Sequence, residues 1–387
     1  MGVSGASFSQ DGDQGLTLSA TATGEYSDNY LKLSDAKVAE RPSLIPEEYS
    51  LLTNAQIGWN QRIGRQVLSF NADAGYRFNK NNGYLDTESV ATDAALNWKL
   101  GSKCSGAITA SYSRTQRDFE TLNDILHSTI SRKTAAADIN CRFASRLGVV
   151  VGGGVSGSDN SALTLSVNDL KQQQAKAGFR LSLRGDDYIS LVATQMWRQY
   201  DNRIVALNVT DENKQLNLGL EVQKGFGPRI MLGGWVGYSE LTNKSTPAMN
   251  FSGLSGSASI SYDIGGRHVA KLSARKELDS NANLSASYIK AKGISFSIAS
   301  KWGAKMHSEF SVSQNEREVS LIPSIVAVST FNNTYDKSQS ASASFAYDIG
   351  RLVTLRLSGR VADRNAALKY FNYTEKAVMF GLSFRYN

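Results

Sequence analysis

Val378-Met379-Phe380-Gly381-Leu382-Ser383-Phe384-Arg385-Tyr386-Asn387 closes the chain, and its alternation decides the fold. In an extended strand successive side chains point to opposite faces. Val378, Phe380, Leu382, Phe384 and Tyr386 therefore share an apolar, aromatic face, and Met379, Gly381, Ser383, Arg385 and Asn387 share a small or polar one. Working backwards, Leu254, Ala258, Ile260 and Tyr262 alternate with Ser255, Ser257, Ser259 and Ser261, and Phe179, Leu181 and Leu183 alternate with Arg180, Ser182 and Arg184. The period of two recurs along the 387 residues with almost no helical interruption.

Composition agrees. There are 33 Gly beside 5 Pro, a balance that disfavours long helices and suits strands joined by tight turns. Mean hydropathy is −0.29, and no apolar run reaches the roughly 18 residues a membrane helix requires. A transmembrane barrel passes that test because only alternate residues meet lipid.

Turn spacing separates a barrel from a soluble sandwich or β-helix. Tight turns are expected around Gly64, Gly101, Ser145, Gly185, Gly227, Gly265, Gly303 and Gly350, spaced by roughly 40 residues, which holds two strands and one longer connection. Longer polar loops are expected at 34–48, 119–126, 203–213 and 318–332. The reading is an all-β, antiparallel up-and-down transmembrane barrel of about 18 strands, with short periplasmic turns and longer extracellular loops. It forms one domain over 1–387, with 1–14 expected to be a flexible periplasmic segment. The outer membrane further requires that a signal peptide, absent from this numbering, has been removed. Trp59, Trp98, Tyr262 and Trp302 stand near the tight turns on apolar faces, where a periplasmic aromatic girdle belongs, and Tyr26, Tyr76 and Tyr112 stand toward the other end.

If the apolar faces meet lipid, the opposite faces line a lumen. Ser, Thr, Gly, Asn and Gln dominate them, and the candidate pore-lining residues are Arg77, Lys99, Arg132, Lys176, Arg180, Lys271, Arg275, Arg356, Arg360 and Arg385. A moderately basic, hydrated wall suits a neutral or anionic hydrophilic solute. The alternative is that these charges form cross-strand pairs that hold the wall in shape. Trp235, within the Gly-rich run 233–237, is a candidate sugar contact or a packing residue.

Ser43-Leu44-Ile45-Pro46 and Ser320-Leu321-Ile322-Pro323 repeat a short apolar sequence in two long loops. Such residues either fold inward and constrict the pore or cap one another outside. Cys104 and Cys141 stand three residues from successive turns on the apolar face, so they form a cross-strand disulfide if they pair directly and remain free thiols if the register slips. The three histidines form no catalytic cluster with a nucleophile, and no metal-ligand, phosphate-loop or nucleic-acid motif occurs, so neither an enzyme nor a cofactor is expected.

Several segments resemble a known family. Gly24-Glu25-Tyr26-Ser27-Asp28-Asn29-Tyr30-Leu31-Lys32-Leu33-Ser34-Asp35 resembles the opening strand and loop of the EpsL-type barrels of exopolysaccharide operons. Asn97-Trp98-Lys99-Leu100-Gly101, Ser105-Gly106 and Arg117-Asp118-Phe119 are similar to that family's next stretch, and Arg364-Asn365 with Tyr370-Phe371-Asn372-Tyr373 to its last loop. The C-terminal aromatics resemble the signal read by the barrel-assembly machinery, though Asn387 follows Tyr386 where a terminal Phe is usual. The family resemblance implies export of a polysaccharide, with a periplasmic co-polymerase or export protein as partner, and it implies no catalytic residue. The residues by themselves lead only to a hydrophilic pore, for which the rival expectation is a general or solute-specific uptake porin.

Overall fold

The computed structural model describes residues 15–119, 125–206, 209–244, 247, 250–279, 286–321 and 335–386. Eighteen strands follow one another: β1 Gly15–Ser27, β2 Glu48–Ile63, β3 Gln66–Asn79, β4 Thr87–Leu100, β5 Cys104–Gln116, β6 Thr129–Arg142, β7 Leu147–Asn160, β8 Leu170–Ser182 and β9 Tyr188–Ala206; then β10 Val209–Phe226, β11 Ile230–Asn243, β12 Phe251–Ile264, β13 His268–Asp279, β14 Ala286–Trp302, β15 Met306–Leu321, β16 Tyr335–Ile349, β17 Val353–Ala366 and β18 Tyr373–Tyr386. Each pairs antiparallel with the next in sequence. β18 then pairs with β1, from Leu18 opposite Tyr386 to Ser27 opposite Ala377, and closes the barrel. Closure leaves no unpaired edge, which a sheet in hydrocarbon requires.

All eight expected tight turns join even-numbered strands to the strands that follow them. Several rest on a left-handed glycine, as at Gly227 (φ 67°) and Gly303 (φ 82°), where a side chain would strain the backbone. The other end carries the longer connections. The first holds a one-turn helix, α1 Asp35–Glu40, capped where the Ser34 hydroxyl accepts from Lys37 N–H. The expected 203–213 loop is instead mostly strand: β9 runs to Ala206 and β10 begins at Val209. Polar residues persist there because they satisfy one another. Arg203 and Asp211, both essentially buried, pair at 3.1 Å, and Asn243 donates to Asp211 at 3.0 Å.

The register sets the two faces. Leu18, Ile57 and Ala72 form one outward row across β1 to β3, and Leu357 lies opposite Phe380 across β17 and β18. Phe179, Leu254 and Phe380 are each more than half exposed, so the outer wall is an apolar surface that water would not cover favourably. The interior is a polar wall, without the packed apolar core of a soluble domain.

Candidate functional site

Following the alternation around the barrel, the inward positions include all ten basic candidates, Arg77, Lys99, Arg132, Lys176, Arg180, Lys271, Arg275, Arg356, Arg360 and Arg385, together with Trp235. Their environments differ. Arg77 meets Glu25 at 2.8 Å, and Arg360 meets Glu375 at 2.7 Å and Glu25 at 3.8 Å. Lys176 meets Glu221 at 3.0 Å. Arg180 donates to the Ser190 hydroxyl at 2.9 Å and lies 3.7 Å from the Tyr188 ring centroid. Among the described residues, Lys99, Arg132, Lys271, Arg275, Arg356 and Arg385 have no carboxylate at ion-pair distance. The basic residues therefore divide in two: some pair with carboxylates across the wall, and others have none at ion-pair distance among the described residues.

Two recesses open from the wall. One, of about 1100 Å³, lies toward the tight turns and is lined by Arg62, Arg65, Lys99, Lys176, Arg180 and Arg385 against the single acid Asp138, among Ser, Thr, Asn and Gln side chains. The other, of about 790 Å³, surrounds Trp235 and balances Lys176 and Arg275 with Glu221 and Glu277. Lys176 borders both, so the two recesses adjoin.

At the loop end, Leu31, Leu33, Leu85, Phe119 and Leu165 bury one another, with Tyr30, Val38, Leu44, Ile125, Leu126 and Ala162 packed around them. Each large side chain so buried contributes about 1.5–3 kcal/mol to holding the loops together. Loop 1 is also tied to its neighbours by polar contacts. Lys32 meets Asp118 at 2.8 Å and the Ser34 hydroxyl donates to the Tyr370 carbonyl at 2.8 Å, while within the loop Tyr30 N–H donates to the Pro46 carbonyl at 2.8 Å. The guanidinium of inward-facing Arg77 lies 5.3 Å from the Tyr30 ring centroid, so loop 1 leans over the lumen. Burial pushes the Tyr30 phenol up to about 12, with nearby Arg77 opposing, and the hydroxyl stays neutral.

Of the two apolar loop segments, Leu44 borders this cluster, Ile45 is exposed, and Pro46 serves through its carbonyl. Leu321 ends β15, whereas Ile322 and Pro323 lie outside the described residues. The members that build the cluster, Leu85, Phe119 and Leu165 above all, come from three other loops and share no motif with one another, so nothing local in the sequence groups them. Cys104 and Cys141 stand directly opposite each other on the outward face of β5 and β6, with Cα atoms 4.1 Å apart, and are disulfide-bonded.

No family model matches the chain, and no curated protein matches it. Among solved structures, OccK2 (OpdF) of Pseudomonas aeruginosa aligns over 96% of this chain and 99% of its own, with a TM-score of 0.50 at 12% identity. Its complex with glucuronate aligns over 97% and 99%, with a TM-score of 0.50 at 11% identity. These are whole-barrel matches, and they accompany a closed 18-strand wall with an apolar exterior. The chain is an outer-membrane β-barrel. The iron transporter FrpB of Neisseria meningitidis also aligns with this barrel, over 96% of this chain and 81% of its own, with a TM-score of 0.50 at 8% identity. At such identities the likeness concerns the fold, and what the barrel carries must be argued from its lumen.

Proposed function

We propose that this barrel is an uptake pore for small hydrophilic solutes and favours anions. The observation that carries the reading is the recess toward the tight turns, lined by six cations and one acid, where Lys176 pairs with Glu221 of the adjoining recess but Lys99 and Arg385 have no carboxylate partner among the described residues. In a narrow aqueous passage with low-dielectric walls, uncompensated charge of one sign concentrates the opposite ion. The hydroxyl and amide side chains between the cations give a solute many weak contacts and no deep trap. That OccK2 has been crystallised with glucuronate is in keeping with a barrel of this fold admitting a small acidic solute.

Polysaccharide export, implied by the EpsL-type resemblance, is the weaker reading. A thick polymer needs a clear exit, whereas loops 1 to 4 share an apolar cluster and loop 1 leans over the lumen. No family model matches the chain to support the resemblance. Leu44 packs against this inter-loop cluster, in keeping with the constricting role expected of Leu44, Ile45 and Pro46, while of the second segment, Leu321, Ile322 and Pro323, the last two lie outside the described residues. The two readings separate in a deletion strain. Uptake predicts slower growth on a small acidic nutrient with surface polysaccharide intact; export predicts lost surface polysaccharide with unchanged small-solute uptake.

A further inference from the structure

We infer that Trp235 is the platform of a subsite that binds the ring of an uncharged pyranose; the inference rests on the pore reading and names a second solute class for it. Trp235 is inward-facing and half-buried, and among the described residues its indole N–H has no hydrogen-bond partner. Such a group on a lumenal wall is open to a solute.

The surroundings keep that indole clear. Two positions further along β11, Gly237 lies opposite Gly219 of β10, and a side chain on Gly237 would run into the Leu218 carbonyl and come within 2.6 Å of the Gly219 Cα. Gly233 lies two positions the other way, and Ser257 and Ser259 follow on β12. The aromatic side chain thus stands above bare backbone and hydroxyls. A pyranose offers a matching surface, because one side of its ring exposes C–H groups to a π face.

The rim supplies hydroxyl recognition. Glu221, directly opposite Trp235, accepts from Lys176 at 3.0 Å and from the Tyr188 hydroxyl at 2.8 Å. Across the recess, Arg275 donates to Asn315 at 3.3 Å, and Glu277 is exposed. Donors and acceptors face the recess in balanced charge, two cations and two carboxylates. Nothing there selects a net charge, which separates this subsite from the basic recess beside it. Its volume of about 790 Å³ falls within the roughly 300–1,000 Å³ typical of small-ligand sites.

The test uses the full barrel in two measurements, current interruptions in a planar bilayer and calorimetric titration in detergent, each with methyl glucoside, and with mannitol as an acyclic polyol that lacks a ring face. Methyl glucoside is expected to interrupt the current and to give binding heat, with mannitol much weaker. Trp235→Ala should weaken methyl glucoside binding by about tenfold, equivalent to about 1.4 kcal/mol. Trp235→Phe should retain most of the affinity, and Trp302→Phe, on the outer wall, should change nothing. Heat-modifiable migration on gels certifies that each variant has closed its barrel, and Trp235→Leu, which keeps apolar bulk but has no π face and is expected to lose affinity as the alanine variant does, stands in if the alanine variant has not. Equal heats for the two polyols, or binding unchanged in Trp235→Ala, overturns the subsite. Absent conductance with intact, Trp235-dependent heats would sink the pore reading alone.

Discussion

The loop end and the turn end of this wall are built from the same strands, yet they pair their lumenal cations to different degrees. Several at the loop end meet carboxylates, with Arg132 an exception, whereas at the turn end the clearest pairs lie in and beside the turns, as in Lys224 with Asp187 and His307 with Asp348. At the loop end, Glu25, Arg77, Arg360 and Glu375 form a linked set, Asp336 accepts from both Arg317 at 2.8 Å and Arg364 at 2.9 Å, and Arg203 is buried against Asp211. At the turn end, Lys99 and Arg385 face the lumen with no such partner among the described residues. A charge that finds a partner at ion-pair distance becomes part of the scaffold; one that does not remains available to a passing solute. The count of basic residues is therefore a poor guide to selectivity, and their pairing is a better one.

This contrast can be broken most forcefully at the buried pair. Replacing Arg203 by Ala strands Asp211 without its main counter-charge, and removal of one partner from such a pair costs about 3–5 kcal/mol. Hydrogen exchange should show the outer part of the β9–β10 hairpin opening while the rest of the barrel stays protected. Unchanged protection would mean that the loop-end charges are ornamental.

Next comes the apolar cluster between the loops. Phe119→Ala removes a buried aromatic ring, a change of about 3–5 kcal/mol in a well-packed core and less where loops can collapse. The expected readout is faster proteolysis of loops 1 to 4 and larger open-channel conductance, with barrel melting unaltered. A conductance identical to that of the unmodified protein would relieve these loops of any role in narrowing the mouth.

A smaller energetic effect with a clear functional signature is expected at the turn end. Lys99, Arg180 and Arg385 changed together to Gln should leave thermal stability nearly unchanged, since among the described residues none of the three has a carboxylate at ion-pair distance to be left without its partner. Anion preference should fall severalfold. Loss of stability without loss of preference would place these residues with the scaffold.

The smallest effect is a pH response in the β8–β9 turn. Asp187 accepts from Lys224 at 2.6 Å and from Gly225 N–H at 2.7 Å, and these bonds hold its carboxyl below the usual range. A carboxyl depressed in the folded state stabilises fully above its unfolded value and loses that contribution as pH falls through the folded one. Protection in this turn, taken relative to the intrinsic exchange rate at each pH, should thus be flat from neutrality to about pH 5 and fall below about pH 4. Asp187→Asn should abolish that fall.

Strand number, turn positions and the two faces were legible because each depends on a period of two and on local turn residues. The pairing of Cys104 with Cys141 was legible as one of two outcomes, since it required only that adjacent strands keep register. Three things were not. Asp201, Asn202, Asp211 and Asn213 look like loop residues, and partners on other strands and loops hold three of them there: Lys171 for Asp201, Ser166 and Asp169 for Asn202, and Arg203 and Asn243 for Asp211. Arg360 reaches Glu25 past the intervening strand β18, a contact made through the lumen and not along the sheet. The inter-loop cluster draws its residues from four separate connections, and no local pattern joins Leu33 to Leu165.

The most direct test of the account is the reversal potential of the purified barrel in a planar bilayer under a potassium chloride gradient. The account predicts stepwise conductance with a reversal potential on the chloride side, which moves toward zero in the Lys99, Arg180 and Arg385 triple variant. A barrel that inserts, as judged by heat-modifiable migration, but conducts no ions or prefers potassium would contradict it.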